Sequence, residues 1–206
     1  LASSICGFFY RLYLVLDIFS RKIVAWEVHE NESAEHASLM IRKACLAESI
    51  HLAGLVLHAD NGGPMKGATM LATLQKLGIV PSFSRPSVSD DNPYSESLFR
   101  TLKYVPAYPS KPFESIDAAR QWVHGFVQWY NDEHRHSAIR YVTPGQRHRG
   151  EDSDLLEQRK AVYESARRQN PQRWSGTTRN WNPVEEVWLN PPKGHQAEID
   201  QESKAA

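Results

Sequence analysis

The sequence is poor in cysteine: Cys6 and Cys45 are the only two in 206 residues. That excludes a disulfide scaffold and any zinc module built on cysteines. Long hydrophobic runs are missing too. The apolar stretch Leu12–Leu16 is stopped by Asp17, far short of the ~20 apolar residues of a membrane-spanning helix. No secretory leader is recognisable, so a reducing, cytoplasmic setting with no membrane partner is expected. Neither sign of charge is in excess, with 24 Lys plus Arg against 24 Asp plus Glu. A uniformly basic coat is excluded, but a local basic patch is not. The chain has no internal repeat and starts at Leu1 rather than Met, which points to a fragment.

What is present is globular composition, 41% hydrophobic and 23% charged. At about 150 residues per domain, one ordinary core with a short appendage fits. Leu12–Leu16 reads as a buried strand. Asp17–Arg21 is a tight connection. Lys22–His29 alternates, with Val24, Trp26 and Val28 on one face, which completes a β-hairpin. Ser33 can cap a helix over 33–48 that shows Ala37, Met40, Ile41 and Ala44 on one side. Leu55–Leu57 is a third strand, delivering His58, Ala59 and Asp60 at its carboxyl end. Asn61–Pro64 is expected to break the structure. A helix on Met70, Leu71, Leu74 and Leu77 is closed by Gly78. Ile79–Phe83 is a fourth strand, and Pro81 assigns it to a sheet edge.

A polar loop over Pro86–Asn92 leads to a helix over Pro93–Lys103, with Asn92 as its cap and Pro93 at the first position. Glu96, Arg100 and Lys103 share one face of it, opposite Leu98 and Leu102. Tyr104–Pro112 carries three prolines and must be a loop. Ile116, Ala119, Val123, Phe126, Val127 and Tyr130 define a further helix. This order gives an α/β layered domain over 1–150. Residues 151–190 form a basic appendage, with a helix over 153–168 on Leu155, Val162 and Ala166 and a strand over Val184–Leu189. A flexible tail covers 191–206.

The informative pair is Asp60, at a strand end, and Glu96, on the first turns of a later helix, with 35 residues between them. Hard divalent cations take oxygen ligands, and carboxylates from separate elements build such sites. Two cations can activate an attacking oxygen and stabilise the leaving oxygen of a phosphoryl displacement. Lys103, two turns beyond Glu96, offers a cation for a nucleic-acid phosphate.

These segments resemble the integrase core of bacterial insertion-sequence transposases, in the DDE group that shares the ribonuclease-H-like fold with retroviral integrases. The resemblance runs over Leu1–Arg149. It rests on Tyr13–Val24, His58–Gly62, Ser84–Lys103, Trp129–Asn131, Arg135-His136 and Thr143-Pro144. It implies a mixed sheet flanked by helices, and metal-dependent DNA cleavage and strand transfer with Mg²⁺, or Mn²⁺ in its place. The implied metal ligands and catalytic residues are Asp60 and Glu96. Lys103 is implied to contact DNA, and Asn61, Arg100 and Arg135 complete the expected DNA-contacting set. A homo-oligomer synapsing DNA ends is implied as well. The family's first carboxylate would fall four positions before Leu1, on a central strand. Asp17 matches a turn residue of the family, not that ligand. A chain lacking the strand is expected to fold poorly or to be catalytically dead, since each buried backbone orphan costs about 1–3 kcal/mol.

Other readings stay open on the residues alone. His58 is either a metal or DNA contact or a half-buried polar group. Trp122, Trp129 and Tyr130 read as packing, and His134–His136 as a polar turn. Arg135, Arg140, Arg147 and Arg149 lie in an acid-free stretch that either tracks phosphates or is solvated. From Arg159 to Trp181 there are six basic residues against one acid, with Trp174 and Trp181 interleaved. This is either a DNA-binding appendage or a solvated face. A ribonuclease-H-like nuclease and a non-catalytic DNA-binding remnant are the alternative functions.

Overall fold

A computed structural model describes residues 1–48, 54–85 and 91–189. The chain divides into two compact units. The first comprises Leu1–Asp17 and Ile23–Gln128, the second Ile18–Lys22 and Trp129–Ala206.

In the first unit, β1 (Arg11–Leu16) and β2 (Ile23–His29) form the expected antiparallel hairpin, with an irregularity between Val15 and Leu16. Upstream, Leu1–Ser3 already runs antiparallel to Phe8–Tyr10. The Leu1 amino group donates to the Tyr10 carbonyl at 3.0 Å, and the Tyr10 N–H returns to the Leu1 carbonyl at 2.8 Å. α1 (Ala34–Ala47) is capped by Ser33, whose hydroxyl accepts from the Glu35 and His36 N–H groups. β3 (Val56–Ala59) and β4 (Val80–Phe83) form a parallel pair with His58 opposite Ser82. Between them lie a one-turn helix α2 (Gly63–Lys66) and α3 (Ala68–Leu77). Gly78 ends α3 in the left-handed region, at φ +69°, where a Cβ is disfavoured. Asn61–Pro64 is therefore not a simple break: Pro64 sits in the first turn of α2, where its missing N–H costs nothing.

Alternation along the hairpin gives each face its helices. Residues directly opposite in a ladder point to the same side. Tyr13, Glu27, Val15 and Ala25 therefore share one face. There Tyr13 and Val15 join Leu55 and Leu57 of the β3 strand region against a cluster of Ala37, Ile41, Met70, Leu74 and Ile79. Cys45 packs at its edge as a small apolar residue. The other face carries Trp26 and Val28. Here α5 (Ile116–Asp132) brings His124 against Trp26, and Arg120 donates to the Val28 carbonyl at 3.2 Å. The two strand pairs share no hydrogen-bonded ladder among the described residues; α1 and α3 tie them together.

α4 (Pro93–Tyr104) buries Leu98 and Leu102, as its pattern requires. Asn92 holds the cap position, but its side chain makes no capping bond. Trp122 stacks on Phe126 and donates to the Ala107 carbonyl at 3.0 Å. Residues 49–53, 86–90 and 190–206 lie outside the described residues, and with them most of the expected polar loop and the whole tail.

The second unit contains the hairpin turn, α6 (Pro144–His148) and α7 (Asp152–Gln169). Its core is Ile139, Val142, Leu156 and Trp181. α7 buries Leu156 and leaves Val162 66% exposed, so the expected Leu155–Val162–Ala166 face is corrected. The helix instead turns Leu156, Arg159 and Tyr163 inward, the last two against the Trp181 ring. No strand forms over Val184–Leu189. There the Val184 carbonyl accepts from Arg147 instead of from a neighbouring strand. The Arg147 side chain is fully buried. It also donates to the Phe19 carbonyl at 2.8 Å, reaches Asp152 at 3.4 Å and lies 4.1 Å from the Phe19 ring centroid. Among the described residues no helix is long and apolar enough to cross a membrane.

Leu74→Ala should lower unfolding stability by about 2–5 kcal/mol, because it opens a cavity in the cluster that joins the strand pairs. Leu46→Ala, at a position 81% exposed, should change it by less than about 0.5 kcal/mol. Urea denaturation of both variants measures the difference.

Candidate active site

Asp60 follows the last residue of β3, at the carboxyl end of the parallel pair. Its Oδ1 accepts the Gly62 N–H at 3.1 Å, a local turn that presents the carboxylate to solvent. A Cβ at position 62 would lie 3.0 Å from that oxygen, so glycine leaves the carboxylate room. Asn61 does not extend outward: its amide donates to the Ser84 carbonyl at 2.8 Å, tying the end of β3 to the segment after β4. The Ser84 N–H in turn donates to the Ala59 carbonyl at 3.0 Å.

His58 lies between two serines of the neighbouring strand region. Its Nδ1 is 3.0 Å from Ser82 Oγ and its Nε2 3.4 Å from Ser84 Oγ. Both ring nitrogens are engaged, which favours the half-buried polar reading over a metal ligand.

The return to α4 is made by an ion pair that the sequence reading did not include. Asp91 is nearly fully buried. It accepts the Arg85 backbone N–H at 2.6 Å and takes the Arg85 guanidinium on both oxygens, the shortest contact being 2.6 Å. Hydrogen bonding from the Arg85 side chain, then from its backbone, holds the Asp91 pKa down at about 2. Arg85 lies just past β4 and Asp91 just before α4. The clasp therefore starts α4 at the same end of the strand pair that carries Asp60. Glu96 then sits on the first turn of α4, exposed, with its N–H donating to the Asn92 carbonyl at 3.2 Å.

Glu96, Arg100 and Lys103 are all exposed, on the side away from the buried Leu98 and Leu102. The Lys103 ammonium lies 5.7 Å from the Tyr104 ring centroid. The Glu96 carboxylate has no hydrogen-bond or ion-pair partner among the described residues, and neither Arg100 nor Lys103 has a carboxylate partner there. Arg135 lies elsewhere, in the second unit, exposed after the end of α5. Asp17 occupies the turn after β1. The two exposed carboxylates are hard oxygen donors and fit a divalent cation in kind. No group of three His, Cys, Asp or Glu able to hold a metal occurs among the described residues.

Two family models, both described as the integrase core domain, match the chain over residues 2–89 and 77–144. The chain belongs to the integrase-core family. Among its relatives, the transposase for insertion sequence element IS904 of Lactococcus lactis is 31% identical over 136 residues. That match covers 65% of this chain and 53% of the relative. The transposase InsF for insertion sequence IS3A of Escherichia coli is 28% identical over 136 residues, covering 66% of this chain and 46% of that protein. The integrase-core chain thus spans about half the length of these transposases. The fold matches the catalytic core domain of BIV integrase with a TM-score of 0.52 at 20% identity, over 75% of this chain and 90% of that one. A chain from the simian T-cell lymphotropic virus intasome structure gives 0.57 at 16% identity, over 72% and 51%. The ribonuclease-H-like α/β fold expected from the sequence is the fold found.

The Asp91 clasp has a pH signature. Its folded pKa lies below that of an unfolded aspartate, about 3.9. The stability it supplies is thus complete above about pH 4 and lost as pH falls toward about 2. Asp91→Asn should lower the thermal midpoint at pH 7. Its deficit against wild type should shrink steadily between about pH 4 and 2, as circular dichroism melts would show.

Proposed function

We propose that this chain is the catalytic core of an insertion-sequence transposase, acting on DNA in the bacterial cytoplasm. The observation that carries the reading is the pair of exposed carboxylates, Asp60 and Glu96, set at one end of the β3–β4 pair in an integrase-core fold. Residues 1–150 are the core in this reading, and 151–190 an appendage whose basic stretch runs from Arg159 to Trp181. The protein acts as a homo-oligomer holding two DNA ends.

Asp60 and Glu96 would hold Mg²⁺, or Mn²⁺ in its place. When bound, the metal supplies activation of water and of a freed 3′-hydroxyl, and charge stabilisation on the phosphate under attack. The chain's own residues position the DNA. Lys103 and Arg100, on the Glu96 face of α4 and without carboxylate partners among the described residues, offer cations to the phosphates beside the carboxylates. Asn61 sets the height of Asp60 through its bond to Ser84.

We assign the remaining carboxylate of the set to the position four residues before Leu1. The Leu1–Tyr10 hydrogen bonds already align this segment antiparallel to the strand leading into β1. Continuing the Ala2–Phe9 register would bring that position alongside β1. The absence of a three-ligand cluster among the described residues favours a second reading for the 206-residue chain by itself. In that reading it binds DNA without turning it over.

With Mg²⁺ and the terminal DNA of its element, the chain alone should give no strand-transfer product. A version extended upstream through an aspartate at that position should give it. In the extended protein, Asp60→Asn or Glu96→Gln should reduce strand transfer by about 100-fold or more while duplex affinity stays within about twofold. Strand transfer surviving in either variant would overturn the assignment.

A further inference from the structure

We propose that the second unit carries a DNA-phosphate-binding surface made of Arg159 and Arg179 on a platform formed by Tyr141 and Trp181, with the exposed Arg135 adding its charge to that of Arg159. Trp181 closes the small core with Ile139, Val142 and Leu156, and two arginines lie over its ring. The Arg179 guanidinium carbon is 5.8 Å from the Trp181 centroid and 5.1 Å from that of Tyr141. The Arg159 guanidinium carbon is 5.9 Å from the Trp181 centroid. A guanidinium over an aromatic ring is held in a defined plane, and its N–H edge remains available for paired bonds to phosphate oxygens.

The charges of Arg159 and Arg135 repel each other. Burial lowers the Arg159 pKa, and the positive charge of Arg135 lowers it further. Arg159 spends one N–H on the Arg140 carbonyl at 3.0 Å. Among the described residues no carboxylate lies within ion-pair distance of Arg135, Arg159 or Arg179. Like charges gathered without counter-ions destabilise a fold, and a polyanion relieves them.

The indole also carries a cost that packing alone would not require: its Nε1 is buried without an acceptor among the described residues, a penalty of order 1–3 kcal/mol. An aliphatic residue would fill the core without it, but only a broad flat ring lays out two guanidiniums. The surrounding stretch from Arg159 to Trp181 has six basic residues to one acid, so an extended phosphate chain fits better than a single small anion. The choice of DNA over another polyanion rests on the proposed function.

The test is fluorescence anisotropy of the full chain with a labelled duplex of ~30 bp and arbitrary sequence, across ~50–200 mM KCl. Arg159→Ala and Arg179→Ala should each weaken binding about fivefold or more and lower the salt slope by about 1. Arg179→Lys should recover most of the slope but less of the affinity, because the planar fork is lost. Lys160→Ala, on the same helix as Arg159 but outside the platform, should cost less than about twofold. If Arg179→Ala loses its cooperative melt, Arg135→Ala, on an exposed turn, carries the test with the same expected loss. Arginine variants that bind like wild type, or a Lys160→Ala loss as large as theirs, would overturn the proposal. So would poly-glutamate binding with the same arginine dependence and no duplex binding. A failed carboxylate assignment shows in the strand-transfer assay of the extended protein, and a failed surface in the duplex anisotropy of the arginine variants.

Discussion

The cluster of Ala37, Ile41, Met70, Leu74 and Ile79 is what joins the two strand pairs of the first unit. A two-stranded sheet is marginal by itself. Here neither pair has a third strand among the described residues, and no ladder connects them. Each pair lays apolar side chains on the same helix layer, Tyr13 and Val15 from the hairpin and Leu55 and Leu57 from the β3 side. Burial, not backbone pairing, thus places β3 where its carboxyl end can carry Asp60.

The functional end is then built by short polar links on that apolar base. Asn61 ties the end of β3 to Ser84, His58 is held by Ser82 and Ser84, and Asp91 clasps Arg85 before α4 begins. In the proposed reading these groups frame the site. They link the strand ends to the helix start, so that one exposed carboxylate directly follows β3 and the other stands on the first turn of α4. This is the arrangement that a phosphoryl-transfer centre needs from its scaffold. In the second unit, the fully buried Arg147 plays a comparable part, joining the hairpin turn, the start of α7 and the Val184 segment.

Local patterning exposed most of this architecture. The hairpin, the Ser33 cap, the Gly78 stop and the buried Leu98–Leu102 side of α4 follow from alternation, helical period and capping chemistry. Asp60 and Glu96 stood out because one ends a strand and the other opens a helix, in company that resembles an integrase core. The misses have physical reasons. Val162 matches a helical stripe, but α7 meets the core through Leu156, Arg159 and Tyr163 instead. Val184–Leu189 has strand composition but no partner strand among the described residues, and Arg147 takes one of its carbonyls instead. The Asp91–Arg85 clasp joins two residues six positions apart, a spacing that no periodicity records. The placement of Arg159 and Arg179 over the Trp181 ring likewise needs the third dimension.

The central claim is that Asp60 and Glu96 hold one divalent-metal centre. Mn²⁺ titration of the ¹⁵N-labelled chain tests it directly, because paramagnetic broadening marks amides near the ion even when binding is weak. The account predicts that signals of Gly62 and of Ser95, Glu96 and Ser97 broaden together, at the same low Mn²⁺ concentration, before any others. Broadening at one of the two segments without the other, or spread evenly over the acidic surface, would contradict it.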